Sequence, residues 1–358
     1  MSEVIRVGLG GLGRSGFGIH GAYLRSDPRF QVVAAADLLP ERRKEAEEVF
    51  GCRVFEDCRS MLEEGGFDLF VNATPSRLHV EYSLEGLSRG FHVLSEKPAA
   101  PTLRDFDRIA ECARAHGVHF FPFQNSRYQP YFRKIREVIS SGVLGEILCI
   151  RSNWSSFARR WDWQTRQDQL GGNLFNTGPH PLDQAIVLFG EKDPEVFCHM
   201  AARHHGLGGD ADNFCLLTLY GEGRPLIEIQ ISSFLAWPEG EQYSIQGTCG
   251  GLTGGPCGLK WKYFFPADAP KQTFWKEWSL KRSYCSELLP WQTESWTPPE
   301  NDGKTDSFLL LSRAAYSNFF AVLKEGAEAD VRLEEVRRQV RVLEEAHRQN
   351  PLPRMVLP

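Results

Sequence analysis

GLGGLGRSGFGIH, residues 8–20, follows directly on the first apolar run of the chain, Val4 to Leu9. Two overlapping GxGxxG registers fit it, Gly8/Gly10/Gly13 and Gly11/Gly13/Gly16. The second leaves a strand of ordinary length from Val4 to Leu9, whereas the first ends the strand at Val7 and uses glycines before the turn has begun. In the second register Gly11 permits a tight turn, Gly13 lets the backbone approach a pyrophosphate, and Gly16 lets the following helix pack closely on the sheet. The amides of Arg14, Ser15 and Gly16 then lie at a helix N-terminus, where unpaired N–H groups and the helix dipole favour an anion. By itself the motif reads equally as an ordinary glycine-rich loop, so the elements downstream of it decide.

A helix from Arg14 to Arg25 leads to FQVVAAAD, Phe30 to Asp37, a strand short of polar residues and so expected to be buried on both faces. Asp37 closes it, where a carboxylate commonly holds the ribose hydroxyls of a dinucleotide. A 2′-phosphate would meet that negative charge, so NAD is preferred; Arg42 and Arg43 nearby keep NADP open. Helices and strands then alternate: helix 41–50, strand 53–55, helix 60–64, strand 68–73, helix 79–89, strand 92–95, helix 103–116, strand 118–123. This pattern predicts a parallel, doubly wound sheet over residues 1–123, with ligands at the carboxyl ends of its strands. Those ends carry Gly11, Asp37, Asn72-Ala73-Thr74-Pro75, Glu96-Lys97-Pro98 and Gln124-Asn125.

From residue 124 to 358 the pattern changes to longer strands at 146–154, 195–203, 212–220, 226–234 and 241–247, several alternating polar and apolar residues. That predicts a second domain with a mainly antiparallel sheet, one face covered and one open. A helical stretch around Leu174 to Phe189 interrupts the strands, the segment Pro266 to Asp302 resists assignment, and helices 308–325 and 333–349 close the chain.

A net charge of −5 over 358 residues, without a long basic run, does not suit a nucleic-acid partner. No stretch reaches about 18 consecutive apolar residues and MSEVIRVGLG has no leader pattern, so no membrane partner and a cytoplasmic location are expected. Nine cysteines without a CxxC pair fit reduced thiols, and no metal site is expected.

Three clusters carry candidate chemistry. Lys97, at a strand end facing the cleft, can donate to a substrate oxygen and stabilise a developing alkoxide; the alternative is a surface loop lysine. In GGNLFNTGPHPLDQA, residues 171–185, Asn176, His180 and Asp183 are spaced four and three apart and share a face if helical, with Pro179 and Pro181 requiring a late start or a kink. A neutral histidine suits removal of a hydroxyl proton while a hydride leaves the same carbon. The third cluster, NWSSFARRWDW from Asn153 to Trp163 together with Asn125-Ser126-Arg127-Tyr128, combines aromatic faces with hydrogen-bonding groups. It reads either as a sugar-binding surface, with Trp154, Trp163, Arg127 and Tyr128 as contacts, or as core and interface.

The order of GLGRSG with His20, ATPSRLH, HVLSEKP, SRYQP and GGNLFNTGPHPLD resembles the Gfo/Idh/MocA family over about half the chain. The resemblance implies a Rossmann domain followed by an open-faced sheet with the site between them. It places a catalytic lysine on Lys97, a proton-transferring histidine on His180 and its usual aspartate on the position of Asn176; with the spacing above, Asn176 and Asp183 are the expected substrate contacts. Together with the reading of the turn and strand ends, the expected cofactor contacts are Gly11, Gly13, Arg14, Ser15, Gly16, Asp37, Thr74, Pro75, His79, Glu96, Lys97 and Asn125. The family's usual aspartate is replaced by Asn176, which cannot titrate. The implied activity is NAD(P)-dependent oxidation of a secondary hydroxyl of a sugar, glycoside or cyclitol by a homo-oligomer, dimer or tetramer. An NAD-dependent glycoside hydrolase and a non-catalytic sugar-sensing regulator stand as alternatives.

Overall fold

The computed structural model describes residues 4–204, 206–237, 240–274, 284–298 and 307–355. Its first sheet is parallel throughout, with β1 (Ile5–Gly10), β2 (Phe30–Ala36), β3 (Arg53–Phe55), β4 (Leu69–Asn72), β5 (His92–Ser95) and β6 (Phe120–Pro122) in the order β3-β2-β1-β4-β5-β6. The strand order reverses between β1 and β4, so the carboxyl ends of these two strands frame a crevice. Val7, Leu9, Ala34, Ala35, Leu69 and Val71 are fully enclosed, which explains why these strands read as unbroken apolar runs.

The segment after the glycine turn differs from the α-helix expected over Arg14 to Arg25. It is a π-helical turn, Gly16–Gly21, that continues as α1 (Ala22–Leu24). The His20 amide reaches back five residues to the Ser15 carbonyl at 3.0 Å, a π-bulge of the kind often found beside functional sites. Helices α2 (Pro40–Phe50), α3 (Cys58–Glu64), α4 (His79–Ser88) and α5 (Leu103–Ala115) complete the alternation. Side-chain oxygens of Asp57 and Thr102 cap α3 and α5 by accepting from Ser60 N and Asp105 N.

Beyond α6 (Pro130–Ser140) the second sheet begins with β7 (Ile147–Asn153). Two short helices follow, α7 (Asn173–Asn176) and α8 (Pro179–Phe189), and then β8 (Glu195–Ala201), β9 (Phe214–Tyr220), β10 (Leu226–Ser232) and β11 (Tyr243–Gly247). Three further strands, β12 (Gly250–Gly255), β13 (Gly258–Tyr263) and β14 (Gln292–Trp296), were not expected, and the last lies inside the unassigned segment. The order is β14-β13-β12-β11-β7-β10-β9-β8, with only the central pair β7 and β10 parallel. Alternate residues such as Cys215, Leu217 and Leu219 point inward to a core shared with Phe132, Ile135, Leu182, Ile186 and Phe189 of α6 and α8. On the opposite face Leu148 and Phe197 are exposed.

The two closing helices, α9 (Ser307–Glu325) and α10 (Leu333–Gln349), turn back to the first sheet. Leu311, Ala315, Tyr316 and Phe319 of α9 pack with β1, β2 and β6, while α10 puts Val336 and Val340 against α5 and Leu343 and Ala346 against the second sheet. The C-terminal segment thus contributes to both cores.

Where the halves meet, Arg127 is buried and donates from Nε to Asp183 Oδ2 on α8 at 2.9 Å, from Nη1 to the Asp330 carbonyl at 2.9 Å, and to Glu335 on α10. Removing the guanidinium leaves the buried Asp183 carboxylate without its cation, while Glu335 keeps Arg332 at 2.7 Å, so Arg127→Met should lower unfolding free energy by about 3–5 kcal/mol. Urea denaturation checks this, and an unchanged midpoint would contradict it.

Candidate active site

The glycine turn fits the chosen register. Gly11 has φ +83°, and a Cβ there would lie 2.5 Å from the Ala73 carbonyl oxygen. A Cβ on Gly16 would sit 1.7 Å from the Gly11 oxygen, so only glycine allows this helix start. Gly13 is different, because a Cβ there meets only Arg42 Nη1, at 3.7 Å. The amides of Gly13, Arg14, Ser15 and Gly16 find no acceptor among the described residues, whereas Gly11 N bonds Ala36 O at 2.8 Å and Leu12 N bonds Asp37 Oδ2 at 2.8 Å. Free amides beside an open glycine suit a pyrophosphate. Asp37 also accepts from Leu39 N at 2.9 Å and pairs with Arg42 Nη1 at 3.3 Å, so its carboxylate shapes the turn.

Thr74 and Pro75 form the opposite rim, with Thr74 Oγ1 bonded to Asn72 Oδ1 at 2.7 Å. His79 does not reach the crevice. It is buried, with Nδ1 2.9 Å from the Pro98 carbonyl and Nε2 2.9 Å from the Thr74 carbonyl, and so stitches the two loops together. Glu96 is also enclosed, 3.3 Å from His20 Nε2, while His20 Nδ1 meets the hydroxyl of Tyr316 from α9 at 2.9 Å. Burial pushes the Glu96 carboxyl up, but His20 and the neighbouring Lys97 charge outweigh it and hold the group down at about 2. Asn125 is buried as well, with Oδ1 sealed and unpartnered. His79, with both ring nitrogens engaged, therefore ties the loops together rather than facing the crevice.

Lys97 extends from the end of β5 across to α7. Its Nζ donates to the Asn176 carbonyl at 2.8 Å and lies 3.4 Å from Asn176 Oδ1. Desolvation lowers its pKa below the ordinary lysine value, and Arg14 and Arg160 add to this while Glu96 opposes it. His180 sits in the first turn of α8, after Pro179, so the expected kink falls between Asn176 and His180. Its Nδ1 is sealed without a partner, and the Trp154 ring stacks on it at 6.2 Å between centroids and 22° between planes. Desolvation, then the charge of Lys97, push the His180 imidazole down to about 3, so it is neutral at ordinary pH.

Four expected substrate contacts need correction. Arg127 and Asp183 are tied up in the buried ion cluster, and Tyr128 is enclosed among the residues packed on the first sheet. The helical spacing placed Asp183 one turn beyond His180, but that turn faces the protein interior. Trp163 is also set apart, in a surface depression with Trp161, Leu207 and Met355. Its neighbour Gln164, which nothing in the sequence singled out, reaches the site instead, donating from Nε2 to Asn176 Oδ1 at 3.0 Å.

A model of the oxidoreductase family with an NAD-binding Rossmann fold, Gfo/Idh/MocA, matches residues 5–123, and the Gfo/Idh/MocA C-terminal domain model matches residues 132–253. The chain belongs to the Gfo/Idh/MocA oxidoreductase family. It is 26% identical over 248 residues to scyllo-inositol 2-dehydrogenase (NADP(+)) of Bacillus subtilis, covering 68% of this chain and 67% of that protein. Over 200 residues it is 30% identical to D-glucoside 3-dehydrogenase of Escherichia coli, covering 53% and 55%. The solved structure of the Bacillus subtilis oxidoreductase yvaA has the same fold, with a TM-score of 0.77 at 21% identity over 98% of this chain and 97% of that one. As a member of this family the chain has an NAD-binding Rossmann domain, and among its described residues no helix is long and apolar enough to cross a membrane.

The two glycines separate fold from binding. Gly16→Ala should disrupt the turn itself, lowering both thermal stability and NADH affinity. Gly13→Ala should leave the melting temperature near wild type and weaken NADH binding roughly tenfold or more, as read by fluorescence titration. Wild-type affinity in Gly13→Ala would contradict the register.

Proposed function

We propose that the chain is a cytoplasmic, NAD(P)-dependent dehydrogenase that oxidises a secondary hydroxyl of a sugar, glycoside or cyclitol to a ketone, working as a homo-oligomer. The observation that carries this reading is the convergence of Lys97 and His180 from the two domains beside the cofactor turn, with Asn176 between them. The inositol and glucoside dehydrogenases among its relatives support the substrate class. Asp37 favours NAD, and its pairing with Arg42 leaves NADP accessible.

When bound, the nicotinamide supplies the hydride acceptor. His180 takes the hydroxyl proton, which it can do because it is neutral. Lys97 donates to the same oxygen and stabilises the charge that develops there. Asn176 cannot share the proton, and the Trp154 ring fixes the plane of the imidazole. A glycoside hydrolase would use the same oxidation and then eliminate the aglycone.

A panel of free sugars, alkyl and aryl glycosides and inositols with NAD and NADP tests the reading, net NADH formation favouring the dehydrogenase and aglycone release the hydrolase. On the best substrate Lys97→Ala and His180→Ala should each lower kcat/KM by about 10²–10⁴-fold, and near wild-type turnover in either would sink the assignment. The pH profile gives a separate check. Catalysis needs neutral His180 and charged Lys97, so activity is lost as pH falls through the first pKa and as it rises through the second. The acid limb of kcat/KM should lie below about 6.5 and the alkaline limb below about 10.4, the ordinary values. Limbs at or above them would contradict the assignment.

A further inference from the structure

Asn176 is held from two sides. Lys97 Nζ, which can only donate, lies 3.4 Å from Oδ1 and so identifies that atom as the amide oxygen. Gln164 Nε2 donates to the same oxygen at 3.0 Å. With Oδ1 engaged by two donors, Nδ2 is left on the other side. It makes no hydrogen bond to a described residue and is not among the atoms sealed from solvent, so it is a donor open to a ligand. An aspartate here would present an acceptor and an anion.

The charges point the same way. Lys97 is partly buried and forms no ion pair among the described residues, its ammonium resting on uncharged oxygens of Asn176. The adjacent carboxylate, Glu96, is already engaged by His20 and by the Lys97 backbone amide at 3.1 Å. Arg160, paired with Asp162, lines a small cavity together with Gln164 and Asn173. The Glu96 carboxylate favours the Lys97 charge without forming an ion pair with it, so a desolvated ammonium resting on neutral oxygens still gains from a negative charge on the ligand.

We infer that Gln164 is a positioning residue that, with Lys97, locks the Asn176 amide with Nδ2 toward the substrate, so that the site selects a carboxylate-bearing sugar over its neutral counterpart. The inference rests on the carbohydrate reading of the site. A carboxylate would accept from Nδ2 and be attracted by the nearby Lys97 charge, while Nζ itself still donates to the reacting hydroxyl; a hydroxymethyl group accepts from Nδ2 without that charge assistance.

The test is calorimetric binding in the presence of NADH, with two matched pairs of probes: methyl β-D-glucopyranosiduronate against methyl β-D-glucopyranoside, and D-gluconate against D-glucitol. In at least one pair the wild type should bind the acid roughly ten- to a hundredfold more tightly. Asn176→Asp removes the donor and adds an anion. Gln164→Glu replaces a donor to Oδ1 by an acceptor, which turns the amide over or pairs with Lys97. Both variants should reverse the ranking while keeping wild-type NADH affinity, a result that loss of structure does not produce. Equal or tighter binding of the neutral member in both pairs overturns the inference, as does retention of the wild-type ranking in either variant. Binding of none of the four probes overturns the carbohydrate reading itself, and the inference with it.

Discussion

One buried guanidinium holds together the segments from which the site is built. Arg127 follows β6 in the connection between the sheets, and its partners Asp183 and Glu335 lie on α8 and α10. Desolvation offsets much of the Coulomb attraction in such a cluster, so its main consequence is geometric: three segments distant in sequence have one arrangement in which every charge is met. Polar contacts extend the clamp. Gln339 on α10 donates to the Pro179 carbonyl at 2.7 Å and accepts from Gln124 Nε2 at 2.7 Å, tying the start of α8 to the end of the first sheet. His180 stands in that first turn. Its position relative to Lys97 therefore depends on the helix that closes the chain as much as on the sheet before it.

The same dependence appears on the cofactor side. The π-bulge turns His20 toward Glu96, and Tyr316 from α9 completes the contact. Glu96 in turn accepts from the Lys97 backbone amide, so the glycine turn, the end of β5 and the C-terminal helix α9 share one buried chain of polar groups. Lys97 remains a cation facing neutral oxygens and His180 a neutral base. This division suits a proton acceptor and an oxyanion stabiliser working on one oxygen.

Much of this was legible in the sequence, for physical reasons that also mark where legibility stops. The strands of the first sheet are buried on both faces and the glycines at 11 and 16 have backbone contacts that no other residue tolerates, so composition alone located them. Lys97, Asn176, His180 and Trp154 do come together. Arg127 and Asp183 were misread because a charged side chain looks the same in sequence whether it faces a ligand or a buried counter-ion. β12 was missed because four of its six residues are glycine and carry no alternation. The apolar stripe of α9 announces a buried face without saying which sheet buries it. Gln164 carries no local signal, since its role exists only through a contact with a residue twelve positions on.

The central claim is that Lys97 and His180 act on one oxygen of a sugar beside the nicotinamide. A crystal structure of the chain with NADH and the carbohydrate that supports turnover tests it most directly. A single substrate oxygen should lie within about 3.2 Å of both Lys97 Nζ and His180 Nε2, on the carbon that faces the nicotinamide. A sugar seated instead against Trp161 and Trp163, with Lys97 still resting on the Asn176 carbonyl alone, would contradict it.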